Sequence, residues 1–262
     1  DFIDNSAGVN TSDVEVNLKI LLNGLERDGR LRRRDRDRLL ASMADAVAEL
    51  VLRNNYLQSQ ALSLLESESA RRLVELQQLI RALERGGDLN RALEFLPDDE
   101  TIAERRKQNR GLTRPELAIL LAYSKLKLYN QLLDSDVPED PYLSNELERY
   151  FPAPVRKRFG RAIRQHRLRR EIIATATTNS LVNRMGPSFV QRAEAETGAT
   201  PAQIARAYTI ARESFGMRAH WATIEALDNR IDTATQYAMM MALSRLLRRV
   251  TYWLLRQRGR AL

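Results

Sequence analysis

The chain has no cysteine, and only two of its 262 residues, His166 and His220, are histidine. Disulfide scaffolds, thiolate nucleophiles and cysteine-ligated zinc or iron–sulfur centres are thereby excluded. The two histidines lie far apart, and neither belongs to a His-x-x-x-His or Glu-x-x-His pattern that would set two ligands on one helix face, so no metal site is expected. His166 stands among arginines and is expected to face solvent, whereas His220, next to Trp221, is expected to be partly buried. Long apolar runs are also missing. The richest, Tyr237 to Leu247, is broken by Arg245 and followed by Arg248 and Arg249, well short of the roughly 20 uncharged residues of a membrane span. No secretory layout opens the chain, and a cytoplasmic protein without membrane contact is expected. The 11 glycines contain no Gly-x-Gly-x-x-Gly, the turn that seats a dinucleotide pyrophosphate on a helix N-terminus.

Positive charge, by contrast, is abundant. Lysine and arginine number 42 against 34 acids, a net charge of +8, and all the basic residues are arginine except Lys19, Lys107, Lys125, Lys127 and Lys157. Two clusters stand out, Arg30 to Arg38 and Arg156 to Arg170. Phosphates give most sequence-independent nucleic-acid affinity, so one reading is a non-enzymatic basic helical binding module, with nucleic acid as the partner. The competing reading is solvated helix faces with ion pairs three or four residues apart. Asp35 and Asp37 inside the first cluster favour the second.

The hydrophobic pattern is helical almost throughout. Val14, Leu18, Leu21, Leu22 and Leu25 form one apolar face ending near Gly24 or Gly29, and Arg30 to Arg38 reads as a loop. Amphipathic helices are expected from about Asp35 to Asn54 and over 56–85, the second closed by Gly86-Gly87. A short helix is expected around Leu89 to Leu96, and a new start at Pro97-Asp98-Asp99-Glu100, whose acids suit the positive end of the helix dipole. Thr113-Arg114-Pro115-Glu116 opens a helix to about Asp134. Four of the eight prolines fall in Asp136 to Pro154, the least regular stretch and a candidate sub-boundary near 136–154. Helices follow near 155–165, 168–185, 187–197, 201–215, 217–228 and 231–258, with Trp221, Trp253, Tyr252 and Met239 to Met241 as core or interface packing.

The segment Asn5-Ser6-Ala7-Gly8-Val9-Asn10-Thr11-Ser12-Asp13-Val14-Glu15 carries the most specific signal. It resembles the Asn-Ala-Gly-Gly-Val-x-x-Ser-x-x-Glu stretch that ends the cofactor domain of glutamate dehydrogenases. The variant here, with Asp4 before it and Asn17 after it, is most similar to the large bacterial NAD-specific members. Arg106 to Ala118, His166 to Thr175 and Asn179 to Gly186 are similar to the C-terminal helical region of those enzymes. The resemblance implies that Asn5 and Gly8 lie at the nicotinamide end of NAD and that Ser12 holds the far carboxylate of L-glutamate. Ser12-x-x-Glu15 is equally a capping box. Ser6-Ala7 departs from the usual Ala-Gly, and a methyl at Ala7 restricts backbone approach there.

The expectation is therefore an all-α chain, residues 26–262 forming a multi-helix C-terminal domain and residues 1–25 a short remnant of the α/β nucleotide-binding catalytic domain. By resemblance it is a fragment of an enzyme that converts L-glutamate, NAD and water to 2-oxoglutarate, ammonia and NADH. No catalytic residue is assigned to it, because the family's catalytic lysine and aspartate have no counterpart in a suitable context. The fragment is expected to be inactive alone and to serve a structural, oligomerising or regulatory role. Its expected partners are the catalytic core of the same polypeptide and further copies in a homo-oligomer.

Overall fold

Helices make up every regular element among residues 6–257, which the computed structural model describes. A single π turn, Ser6–Asn10, leads into α1 (Thr11–Arg27), followed by α2 (Arg33–Ala41), α3 (Ala44–Glu68), α4 (Leu73–Arg85), α5 (Asp99–Lys107) and α6 (Arg114–Leu133). A 3-10 turn, Val137–Glu139, precedes α7 (Ser144–Tyr150), α8 (Ala153–Arg164), α9 (Arg169–Met185), α10 (Phe189–Thr197), α11 (Pro201–Ser214), α12 (Met217–Glu225) and α13 (Thr233–Arg256). The chain divides into two units, one running to Gln60 and again over Leu132–Asn179, the other spanning Ala61–Gln131 and Ser180 onward.

In the first unit α1 buries Val14, Asn17, Leu18, Leu21, Leu22 and Leu25 and packs on α2 and α8. The spacing of three and four puts these side chains on one stripe, each fully buried leucine contributing roughly 1.5–3 kcal/mol. The helix stops where Gly29 takes φ +69° and the Arg30 N–H bonds back to Leu25 O at 2.9 Å. The expected loop over Arg30 to Arg38 is instead largely α2. Arg32 meets Asp35 at 2.9 Å, Arg33 meets Asp37 at 3.3 Å and Arg36 meets Asp37 at 2.6 Å, so alternating charges support the helix from its own surface. Leu147 from α7, Phe151 just past its end, and Val155 and Ile163 from α8 are buried in the same unit.

In the second unit α11 buries Ala202, Ala205, Ala207 and Ala211 along with Ile204 and Tyr208 and packs on α10, α12 and α13. The start of α11 is a full capping box: the Thr200 hydroxyl accepts from Gln203 N at 3.4 Å, and Gln203 Oε1 accepts from Thr200 N at 2.9 Å. At α6 the anticipated start is present. Glu116 accepts from Thr113 N at 2.6 Å and takes both guanidinium nitrogens of Arg105, at 2.6 and 2.9 Å. Burial works against its charge, but Arg105 and Thr113 hold its carboxyl below the ordinary range.

Three stretches differ from expectation, the first being the helix expected from about Asp35 to Asn54, which is split at 42–43 between α2 and α3. No break occurs at 54–56; α3 runs on to Glu68, and the chain turns at 69–72. There the buried Ser69 hydroxyl accepts from Leu112 N at 2.7 Å and donates to Leu112 O at 3.2 Å. Gly111 makes this approach possible, since a Cβ on it would lie 2.4 Å from Ser69 Oγ and 2.6 Å from Ala70 N. The short helix expected at Leu89 to Leu96 is a series of turns, with Phe95 at φ +53°. From Pro201 onward the observed helices lie within two or three residues of the expected ones.

Candidate functional site

Gly8 lies in the π turn and Ser12 is the second residue of α1; both are exposed, and Asn5 lies outside the described residues. The capping box expected of Ser12 and Glu15 is not formed. Because Ser6–Asn10 is already helical, the N-cap position falls on Asn10, at φ −66° and ψ −40°, and makes no side-chain cap. Ser12 donates its hydroxyl hydrogen to Val9 O at 2.9 Å, and Glu15 pairs with Lys19 at 2.6 Å. The Ser12 bond is local and exposed, so rotation of the hydroxyl frees its proton for an outside acceptor.

One turn along, α1 carries a polar cluster that the sequence pattern did not reveal. Asn17 Nδ2 donates to Tyr150 Oη at 2.8 Å, and Tyr150 donates to Asp13 Oδ2 at 2.7 Å. Burial and the Asp13 charge push the Tyr150 phenol well above its ordinary range. His166, expected in solvent, is 2% exposed and belongs to the same cluster. The Leu168 N–H donates to its Nδ1 at 3.1 Å, which leaves the hydrogen on Nε2 to donate to Asn17 O at 3.1 Å. Burial lowers its pKa, so the neutral ring is favoured. Arginines flank it in sequence, but in space it meets α1 and the Phe151 ring, 5.5 Å away. His220, expected partly buried, is exposed on α12, while Trp221 beside it is buried. Trp253 and Met239, read as packing residues, are exposed on α13, whereas Met240 and Tyr252 are buried.

The second unit contains a cavity of about 640 Å³ between α3, α4, the end of α9, α10 and α13. Its floor is an ion network. Glu75 accepts from Arg72 at 2.5 Å and from Arg192 at 2.9 Å, and the Ser188 hydroxyl donates to it as well. Burial opposes the Glu75 charge, yet these partners keep its carboxyl below the ordinary range. Arg184, also on the lining, bonds Glu225 at 2.9 Å and stacks over the Trp221 ring at 4.3 Å. Arg245 and Arg248, one turn apart on α13, complete the cationic side. Leu65, Met185, Phe189 and Tyr252 form an apolar side, with the rings of Phe189 and Tyr252 in edge contact at 6.1 Å.

Among the described residues no group of three His, Asp or Glu side chains is placed to hold a metal ion. No described helix is long and apolar enough to cross a membrane.

Comparisons with known proteins match both ends of the chain. The family described as bacterial NAD-glutamate dehydrogenase, catalytic domain, matches residues 1–65, and that described as glutamate dehydrogenase, C-terminal, matches residues 109–262. The NAD-specific glutamate dehydrogenase of Halomonas elongata is 49% identical over 258 residues, covering 98% of this chain and 16% of that protein. The Pseudomonas aeruginosa enzyme of the same name is 48% identical over the same shares, and the Mycobacterium tuberculosis enzyme is 37% identical over 262 residues. The chain thus spans 16% of the length of these relatives. With the second family model covering more than half of it, the chain belongs to the glutamate dehydrogenase C-terminal family.

Proposed function

We propose that this chain is the C-terminal part of an enzyme that oxidises L-glutamate with NAD and water to 2-oxoglutarate, ammonia and NADH. The observation that carries this reading is the succession of the two family matches, catalytic domain first and C-terminal region after it. NAD supplies the hydride acceptor. The residues here do not make a whole dinucleotide site, because no Gly-x-Gly-x-x-Gly turn is present. No step of hydride transfer is assigned to them. Their contribution lies at the edge of the site: Asn5 offers a side-chain amide to the nicotinamide end, Gly8 leaves the backbone open to the cofactor, and Ser12 donates its hydroxyl proton to the far carboxylate of glutamate. The exposed, rotatable Ser12 hydroxyl supports that role.

The remainder of the chain is structural, oligomerising or regulatory, working in the cytoplasm on the catalytic core of the same polypeptide. The exposed apolar side chains Val9, Val16 and Leu52, all within the catalytic-domain match, support docking on that core. The α/β catalytic domain would end near residue 25, with the matched residues 26–65 already forming the first helices of the helical domain. In the whole enzyme, Ser12→Ala is expected to lower kcat/KM for glutamate by about 10- to 100-fold, the equivalent of a hydrogen bond to a charged group. Most of the change should appear in KM. Unchanged glutamate kinetics would remove Ser12 from the site, and turnover by the 262-residue chain alone would overturn the reading of it as inactive.

A further inference from the structure

We infer that Tyr150, together with Asn17 and His166, is a positioning group for the Ser12 hydroxyl, a role that rests on the reading of Ser12 as the holder of glutamate's far carboxylate. Ser12 is exposed, and among the described residues its hydroxyl bonds only to Val9 O in its own turn. Its place in space is therefore the place of α1. The stripe from Val14 to Leu25 buries that helix, but apolar burial has no preferred direction, so rotation about the helix axis is left weakly specified. A Cα lies about 2.3 Å from the axis and a hydroxyl farther out, so a rotation of about 20° carries the hydroxyl about 1 Å. Misplacement on that scale costs up to about 100-fold in rate.

Hydrogen bonds supply the missing direction, and they act on the residues next to Ser12. Tyr150, the last residue of α7, donates to Asp13 Oδ2 at 2.7 Å and accepts from Asn17 Nδ2 at 2.8 Å. It thus grips α1 at two positions one turn apart. His166, in the turn before α9, donates to Asn17 O at 3.1 Å. The gripping rings are locked to one another, Tyr150 and Phe151 in edge contact at 5.2 Å and Phe151 and His166 at 5.5 Å. From α3, Asn54 Nδ2 donates to Asn10 Oδ1 at 3.2 Å and ties down the π turn ahead of Ser12. All of these residues belong to the first unit. Asn17 separates positioning from packing. It is 5% exposed, and its amide nitrogen also faces Asp13 O at 3.0 Å and Asp13 Oδ1 at 3.2 Å, a carbonyl and a carboxylate that accept, which settles the orientation of the amide. Its own oxygen is left buried without a donor. Stability alone would favour a paired oxygen or an apolar side chain there, so the cluster answers a geometric demand on α1.

The test is steady-state kinetics of the whole enzyme. Tyr150→Phe keeps the ring and removes the hydroxyl that joins Asp13 to Asn17. It is expected to raise KM for glutamate about fivefold or more, though less than Ser12→Ala does, with kcat and the KM for NAD within about twofold of the unsubstituted enzyme. The double variant Ser12→Ala/Tyr150→Phe should match Ser12→Ala alone, because a positioning group has no effect once the group it positions is gone. Two controls separate positioning from lost stability. Tyr142→Phe removes an exposed phenol of the same unit, Thr200→Ala removes a cap in the other, and both should leave the glutamate KM unchanged. An unchanged glutamate KM in Tyr150→Phe overturns the inference. So do equal rises in the KM values for glutamate and NAD, losses that multiply in the double variant, or a raised glutamate KM in Thr200→Ala. If Ser12→Ala itself leaves KM unchanged, the reading of Ser12 has failed and the positioning role falls with it. A raised KM in Ser12→Ala beside an unaltered one in Tyr150→Phe removes the positioning role alone. If Tyr150→Phe does not fold, Asp13→Ala, which takes the phenol's acceptor from an exposed position, replaces it under the same expectations.

Discussion

His166 shows how far a single residue can depart from its sequence surroundings. Flanked by arginines, it is nevertheless buried, with Nδ1 accepting from Leu168 N–H and Nε2 donating to Asn17 O. A second proton would have to sit on Nδ1, against that N–H. Its pKa is lowered by burial from the ordinary 6.5, so the unfolded chain takes up the proton first as the pH falls. The stabilisation is complete above pH 6.5 and is lost as the pH drops through 6.5 toward the folded value. Denaturant midpoints measured from pH 7.5 to 5 should decline, and the decline should flatten in His166→Gln. An equal slope in the variant would assign the effect elsewhere. Glu75 and Glu116, two of the acids whose pKa is lowered, act in a separate window, below their ordinary 4.5.

At the scale of the element, the boundaries legible in the sequence were those fixed by local chemistry. Thr200-Pro201-Ala202-Gln203 contains its own cap, so the start of α11 needs nothing from the rest of the fold. Thr200→Ala should lower stability by about 1 kcal/mol, read as a fall in thermal midpoint without change in the folded circular dichroism spectrum. A drop of several kcal/mol would mean that Thr200 does more than cap. Boundaries set by distant residues were not legible. The end of α3 depends on Ser69 meeting Leu112, 43 positions away and through the absent side chain of Gly111. Ser12 and Glu15 have the spacing of a cap, but the π turn ahead of them moves the helix start and leaves the motif inside it. The site was legible in a similar degree. The Gly8 to Ser12 segment stood out by its resemblance to a glutamate dehydrogenase segment, whereas the cavity draws on α3, α4, α9, α10 and α13, and no short window of sequence contains it.

For the whole molecule, exposed apolar surface is the feature with the clearest consequence. Val9, Val16 and Leu52 are 62%, 49% and 65% exposed, and an apolar groove lined by Leu18, Met43, Val47 and Val51 lies in the same segment. Leu52→Glu should change the stability of the isolated chain by no more than about 0.5 kcal/mol, as exposed substitutions do, and should improve its solubility. In the full-length enzyme the same change should reduce activity or assembly, because a charge would then face the catalytic core. Unaltered activity would place Leu52 outside any contact. The choice of arginine over lysine has a consequence of another kind. Among the described residues lysine takes part in the Glu15, Glu104 and Asp88 pairs, and the other ion pairs given above rest on guanidinium groups. Ammonium is a compact point charge on a flexible stem, whereas guanidinium is a planar fork that can meet both oxygens of a carboxylate at once. The Arg72–Glu75 pair on the floor of the cavity is therefore a two-point contact, at 2.5 and 3.3 Å, and Arg72→Lys would keep the charge while giving up one of the two bonds.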